Sequence, residues 1–336
     1  MSQCNYTPSA RIMSMAELNH NKTLNMRLFE HLRSLAVETG DNLLISQAER
    51  VKYCSSFWQG QYCPSCRKFH GMHSTGCKHR LCPICATKAA RVTAMQAMEC
   101  IDHIRANHKK LPVKASLLTL TQRNVNGPSL QNEITALLSA WNQLCNQRTF
   151  RAQIIGYART IEIVPSINND GLYHPHVHAI LLHDKNLPPL EWFIARWKSG
   201  MKLDYDPICD LRQIEDTQGA VFEVSKYISK MSRVYDGTPL EHDHVRYLNA
   251  ATYNRRLRTY GGEWRTARTI LSQRPVEQME PDEIDEYGAM TDLSAACPRC
   301  GAETVASTLR WAGLQYVTIP QEIRVISMDG KFLDGR

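Results

Sequence analysis

The stretch LYHPHVHAILL, residues 172–182, sets His174, His176 and His178 at alternate positions. On a β-strand such residues share a face, while Val177, Ala179 and Leu181 turn the other way, into a core. Imidazoles gathered on one face are a ligand set for a divalent metal. The preceding run, IIGYARTIEIVPS, is joined to this strand by the polar turn INNDG and reads as its hairpin partner. With the turn centred near Asn169, Glu162 falls opposite His176, to within about two positions, and Thr160 joins the same face. A carboxylate beside two imidazoles makes a mixed N/O site suited to Mg²⁺ or Mn²⁺, completed by solvent or substrate oxygens.

A second constellation is FEVSKYISK, residues 222–230. On a helix Glu223, Tyr227 and Lys230 fall at i, i+4 and i+7, on one face. A tyrosine hydroxyl becomes a nucleophile when nearby positive charge stabilises its phenolate or polarises the substrate. Lys226 and Lys230 can supply that charge. Taken alone, the pattern fits an amphipathic helix with an exposed Glu–Lys face better than a reactive site.

The chain holds 12 cysteines. Cys63-x2-Cys66 and Cys82-x2-Cys85 flank a 15-residue gap, a spacing that suits one tetrahedral, structural Zn²⁺. Cys77 is a further candidate ligand, and Cys54, His70, His73 and His79 lie within reach, so the ligand supply extends to one zinc ion or two. Cys297-x2-Cys300 is half of a zinc ribbon with no second pair downstream. It is either a knuckle completed by another module or subunit, or a plain reduced pair. Cys100, Cys145 and Cys209 read as buried structural residues, and Cys4 as part of a mobile terminus.

The net charge of +7 is modest, but it is unevenly spread. Residues 51–91 contain seven Lys or Arg and no acid, and residues 245–274 seven Arg against one Glu. Residues 275–292, by contrast, carry seven acids and no base. Two basic blocks with interleaved aromatics suit a polyanion, most simply nucleic acid. No run approaches the roughly 20 apolar residues of a membrane span, and the first residues lack an export layout. A cytoplasmic, reduced-thiol protein without a membrane partner is expected.

These groups must be held by the elements around them. Residues 8–50 read as amphipathic helix through Leu28, Leu32, Leu35 and Ala36. A Cys- and His-rich module follows to about residue 90, then a helix over 86–108, a strand over 114–125 and a helix over 129–150. After the hairpin come a helix at 189–199, a short strand at 208–214, a helix around 217–233 and a strand-like tail. The mixture predicts an α+β fold with a central antiparallel sheet flanked by helices, plus a small zinc-stapled module.

Five motifs carry a family resemblance. LYHPHVHAILL resembles the His-hydrophobic-His motif of HUH endonucleases, and EVSKYISK the tyrosine motif of that superfamily. SLLTLTQRN resembles the strand that precedes them in rolling-circle plasmid replication initiators, and CKHRLCPIC the CxxRxCPxC element of one plasmid Rep group. YLNAATYNRRLRTYGGEW resembles that group's segment after the tyrosine helix. The likeness runs in order from about residue 54 to 265.

The resemblance implies an HUH domain that nicks and rejoins one DNA strand at an origin. His176 and His178, with Glu162, would hold Mg²⁺ or Mn²⁺ against the scissile phosphate, with His174 outside the ligand set. Tyr227 would form a 5′-phosphotyrosyl bond and leave a 3′-OH primer. Glu223, four residues before it, would activate water for termination. Single-stranded or cruciform origin DNA and the host helicase and polymerase are the implied partners, with Arg246, Arg255, Arg256, Arg258 and Arg265 as candidate DNA contacts. The expected organisation is a helical segment (1–50), the zinc module (51–100), the nicking domain (110–240), an Arg-rich extension (241–274) and an acidic linker with the CxxC tail (275–336). A relaxase or single-strand transposase of the same superfamily, or a non-catalytic zinc-dependent DNA-binding regulator, are the alternatives.

Overall fold

The computed structural model describes residues 14–108, 112–166, 170–215, 219, 221, 240–273, 296–297 and 299–319. Its first helix, α1 (Met15–Thr39), starts where the Ser14 hydroxyl accepts from the Glu17 N–H and the Glu17 carboxylate accepts from the Ser14 N–H. It stops at Gly40, whose left-handed φ of 69° caps the helix and turns the chain. The Asp41 side chain then caps α2 (Asn42–Tyr53). The single helix expected over 8–50 is therefore two helices, because glycine followed by a capping aspartate both ends one and begins the next.

The Cys-rich stretch forms a hairpin, β1 (Phe57–Cys63) and β2 (Lys68–His73), that its composition did not reveal. Helix α3 (Pro83–Asn107) follows, then β3 (Lys114–Leu120), the short β4 (Val125–Asn126), α4 (Leu130–Cys145) and α5 (Arg148–Gln153). The expected hairpin is β5 (Gly156–Pro165) and β6 (Leu172–His183). Next come α6 (Leu190–Met201), β7 (Cys209–Ile214), α7 (Glu241–Thr252), β8 (Arg258–Gly262) and α8 (Glu263–Ser272), and last β9 (Val305–Trp311) and β10 (Tyr316–Ile319).

The strands form two antiparallel sheets. The larger runs β7-β3-β6-β5-β8, with β4 added beside β6; the smaller runs β10-β9-β1-β2. The fold class is the α+β arrangement expected.

The large sheet separates two cores. Leu118, Leu120, Ile161, Ile163, Val177, Ala179 and Leu181 face α4, α6 and α7. Fully buried Trp141 anchors that side, meeting Phe150 and Tyr157 edge-on. Ala115, Leu117, Ile180 and Leu182 form the other face, under Ala94, Ala97, Ile101 and Ile104 of α3 and Trp264 and Ala267 of α8. In both cores each buried Leu or Ile contributes on the order of 2 kcal/mol.

Where β8 meets α8 the backbones come too close for a side chain. Gly262 has φ 57° and ψ −145°, a conformation open to little but glycine, and a Cβ there would lie 2.2 Å from the Ile155 carbonyl oxygen. Among the described residues no helix is long and apolar enough to cross a membrane.

Candidate functional site

The β5–β6 register puts Glu162 opposite His176 and Thr160 opposite His178, as the turn-centred reading anticipates. Alternation then turns Thr160, Glu162, His176 and His178 to the same face as Leu117 and Ile180. Glu162 is 1 % exposed, His176 8 % and His178 6 %, so the group is buried at the end of the α3-side core. Glu162 Oε2 lies 2.8 Å from His176 Nε2 and 3.0 Å from His178 Nε2.

The hydrogen bonds behind each ring decide what that contact is. His176 Nδ1 lies 3.1 Å from the backbone carbonyl of His174, which can only accept, so the ring proton sits on Nδ1. In the neutral ring Nε2 then points a lone pair at a carboxylate oxygen 2.8 Å away. Two acceptors at that distance repel unless a second proton or a metal cation lies between them. An octahedral ion with ligands near 2.1 Å places neighbouring ligand atoms about 3.0 Å apart, which these spacings match. His178 Nδ1 is held by the Thr119 hydroxyl at 3.1 Å, from the partner strand β3. Such contacts behind a ligating imidazole fix which nitrogen faces the metal.

His174 stands apart from this group. Its ring Nδ1 meets the Asn124 side chain at 3.0 Å, and burial, then the neighbouring His176, hold its pKa below the ordinary value. Its contribution to the site is the carbonyl that orients His176. Glu223, Lys226, Tyr227 and Lys230 lie outside the described residues. Val221, six positions before Tyr227, is described: it is buried in the core formed by Ile180, Leu182 and α3.

The cysteines divide differently from the spacing argument. Cys63, Cys66, Cys82 and Cys85 are not brought together; two separate groups of four form instead. One is Cys54, Cys77, Cys82 and Cys85, with sulfur separations of 3.5–3.7 Å. The other is Cys63, Cys66, Cys297 and Cys300, with separations of 3.6 and 3.7 Å. A tetrahedral zinc with Zn–S near 2.3 Å has edges of about 3.8 Å, whereas a disulfide is about 2.05 Å, so both groups have the size of a Zn²⁺ site. The linear pairing fails because β1 turns Cys63 and Cys66 away towards the chain's far end, while Cys54 and Cys77 close on the start of α3.

The first group carries its own counter-charge. Lys22 is fully buried, and its ammonium donates to Asn25 Oδ1 and to the Lys52 and Cys54 carbonyls. Burial lowers its pKa, and the charges of Cys54, Cys82 and Cys77 raise it. Hydrogen bonds from Cys77, Cys82 and Cys85 push the Cys54 thiol far down, whereas burial pushes Cys82 up. Four thiolates around Zn²⁺ leave two negative charges, which a buried ammonium offsets. Cys54 was within sequence reach, but nothing in the spacing marks Lys22.

The arginines scatter. Arg258 pairs across the sheet with Thr160, which places it on the metal face, and its guanidinium donates to the Thr93 hydroxyl. Arg255 donates to Thr135 at 2.7 Å, Arg256 is exposed, and Arg265 donates to the Tyr260 carbonyl. Arg246 sits on α7 and pairs with Glu38 and Asp243.

The family model for the Rep_1 replication proteins matches residues 68–299. The chain belongs to this replication protein family. The resemblance drawn from its motifs is thereby borne out. The Rep chain is 29 % identical over 260 residues to a Protein rep of Bacillus amyloliquefaciens, covering 69 % of this chain and 75 % of that one. It is 29 % identical over 269 residues to a Protein rep of a Bacillus species (69 % and 83 %). Over 237 residues it is 26 % identical to a Protein rep of Streptococcus pneumoniae serotype 2, strain D39 (65 % and 72 %). No solved structure matches the Rep chain.

Proposed function

We propose that this chain starts rolling-circle replication by nicking and rejoining one strand of its origin DNA, as an HUH-type transesterase. The observation that carries the reading is the buried Glu162 oxygen flanked at 2.8 and 3.0 Å by the Nε2 atoms of His176 and His178.

In this reading Glu162, His176 and His178 hold Mg²⁺ or Mn²⁺, which when bound supplies Lewis acidity to a non-bridging phosphate oxygen. Thr119 and the His174 carbonyl keep both rings turned inward. The Tyr227 oxygen attacks phosphorus, the P–O3′ bond breaks, and the leaving oxygen takes up a proton. The products are a 5′-phosphotyrosyl linkage and a 3′-OH that primes the host polymerase, with a host helicase opening the duplex. Lys226 and Lys230 stabilise the phenolate and the phosphate charge. Glu223 takes a proton from water in the terminating hydrolysis. Arg246, Arg255, Arg256, Arg258 and Arg265 contact the DNA backbone, where positive charge alone confers affinity. Zn²⁺ at Cys54, Cys77, Cys82 and Cys85 has a structural role, and the protein works in the cytoplasm. In this reading the chain comprises a helical segment (1–50), the cysteine-rich module (51–100), the nicking domain (110–240), an Arg-rich extension (241–274) and an acidic linker with the CxxC tail (275–336). A purely DNA-binding regulator would leave the Glu162 group without a use.

The test is a covalent adduct. With Mn²⁺ and single-stranded origin DNA labelled on the 3′ side of the nick, the protein should acquire label. Tyr227→Phe should abolish labelling, and Glu223→Ala should nick but accumulate unterminated products. Undiminished labelling of Tyr227→Phe would refute the assignment.

A further inference from the structure

Residues 63–66 and 297–300 both read Cys-Pro-x-Cys, and they lie near opposite ends of the chain. Three of the four cysteines, Cys63, Cys66 and Cys300, fall outside the family-matched residues 68–299. The fold nevertheless brings all four sulfurs within 4.8 Å of one another.

Strand β9 lies along β1, pairing Val305–Arg310 with Tyr62–Phe57, and β10 adds beside β9. Cys63 ends β1 and Cys300 precedes β9, so the two knuckles meet at the same end of the sheet. The pairings bear this out: Cys63 Sγ lies 3.6 Å from Cys300 Sγ, and Cys66 Sγ 3.7 Å from Cys297 Sγ. Both are tetrahedral-edge lengths for zinc.

The backbone is arranged to receive thiolates. The amides of Arg299 and Cys300 donate to the Cys297 sulfur, and the amide of Ala302 donates to that of Cys300. The knuckle itself is closed by the Gly301 N–H on the Cys297 carbonyl at 2.8 Å and the Cys297 N–H on the Ala302 carbonyl at 2.7 Å. His70, buried on β2, places Nε2 3.2 Å from the Cys297 sulfur. An N–H there is a further donor to a thiolate, of the kind that supports metal ligands from behind.

We propose that Cys63, Cys66, Cys297 and Cys300 form a second Zn²⁺ site, a clasp that locks residues 296–319 onto the β1–β2 hairpin. Four thiols lose their protons as the ion binds, and no redox change is involved. The clasp closes a loop of more than two hundred residues, and a cross-link over so long a loop restricts the unfolded chain most. It also completes an apolar seam: Trp58, Leu309 and Tyr316 are buried together, Tyr316 donates its hydroxyl to the Ser55 carbonyl, and its N–H donates to Asn19 of α1 at 2.7 Å. The clasp is independent of the nicking chemistry.

Native mass spectrometry and metal analysis of the full chain should find two zinc ions. Cys297→Ser/Cys300→Ser should retain one, and Cys77→Ser/Cys85→Ser should lose the other. Cleavage at a site-specific protease sequence inserted between residues 286 and 287 gives the second readout. In zinc-loaded protein the C-terminal piece should stay with the body through size exclusion; in Cys297→Ser/Cys300→Ser, or after chelation, it should dissociate. One zinc in the wild-type protein, or a Cys297–Cys300 disulfide, would overturn the proposal. So would a C-terminal piece that stays bound in the variant. The wild-type count decides the question even if a variant fails to fold.

Discussion

Thr119 shows how one hydroxyl can matter at a site it does not belong to. It sits on β3, opposite His178, and its Oγ1 meets the ring nitrogen that faces away from Glu162. Thr119→Val keeps the shape and removes the hydrogen bond, so the His178 ring loses its fixed tautomer and orientation. Mn²⁺ affinity measured by calorimetry should fall by roughly ten-fold or more, the usual effect of losing such a contact. An unchanged affinity would mean that His178 is oriented by packing alone. The neighbouring ligands were legible in the sequence because strand alternation and a short hairpin loop dictate which side chains face each other. Thr119 was not, since its contact spans 59 positions between strands that no turn joins directly.

At the scale of elements, the junction of β5, β8 and α8 carries the tightest constraint. Gly156 and Gly262 pair across the sheet, and a Cβ on Gly156 would lie 2.9 Å from the Trp264 amide nitrogen. Trp264 is fully buried just after that turn, so the close approach is what seats α8 on the sheet. Gly262→Ala forces a side chain into a left-handed backbone against the Ile155 carbonyl. It should cost about 2 kcal/mol or more, seen as a lower urea midpoint with an unchanged slope. The need for both glycines comes from strand proximity, which no local pattern in the sequence marks. The α1–α2 break was legible in principle: Gly40 and Asp41 are ordinary stop and start signals inside an otherwise helical pattern.

Over the whole molecule, a continuous core joins the ends of the chain to the sheet. Leu28, Leu32 and Val51 of the first two helices, Trp58 of the hairpin, Cys82 at the start of α3 and Leu309 of β9 belong to the same cluster as Trp141 and Val177. Cys54, Cys77 and Cys82 belong to this cluster, and the second cysteine group lies at the end of the β1–β2 hairpin, whose Trp58 and Phe69 are also part of it. Stripping zinc with a strong chelator should therefore lower the melting temperature of the whole protein in one transition, rather than melt a detached module. Calorimetry with and without chelator checks this. An unshifted main transition would show that the sheet folds independently of the cysteine groups.

What the sequence determined by itself was local chemistry. Alternation set the histidine face, a five-residue turn set Glu162 against His176, and the order of motifs pointed to the replication protein family. The tertiary structure decided which partners distant residues take. Cys63 and Cys66 leave Cys82 and Cys85 for Cys297 and Cys300, and Lys22 comes to rest against Cys54. The reason is physical: spacing along a chain constrains only neighbours. Pairing across hundreds of residues is set by which strands add to which sheet and by where buried charge finds compensation.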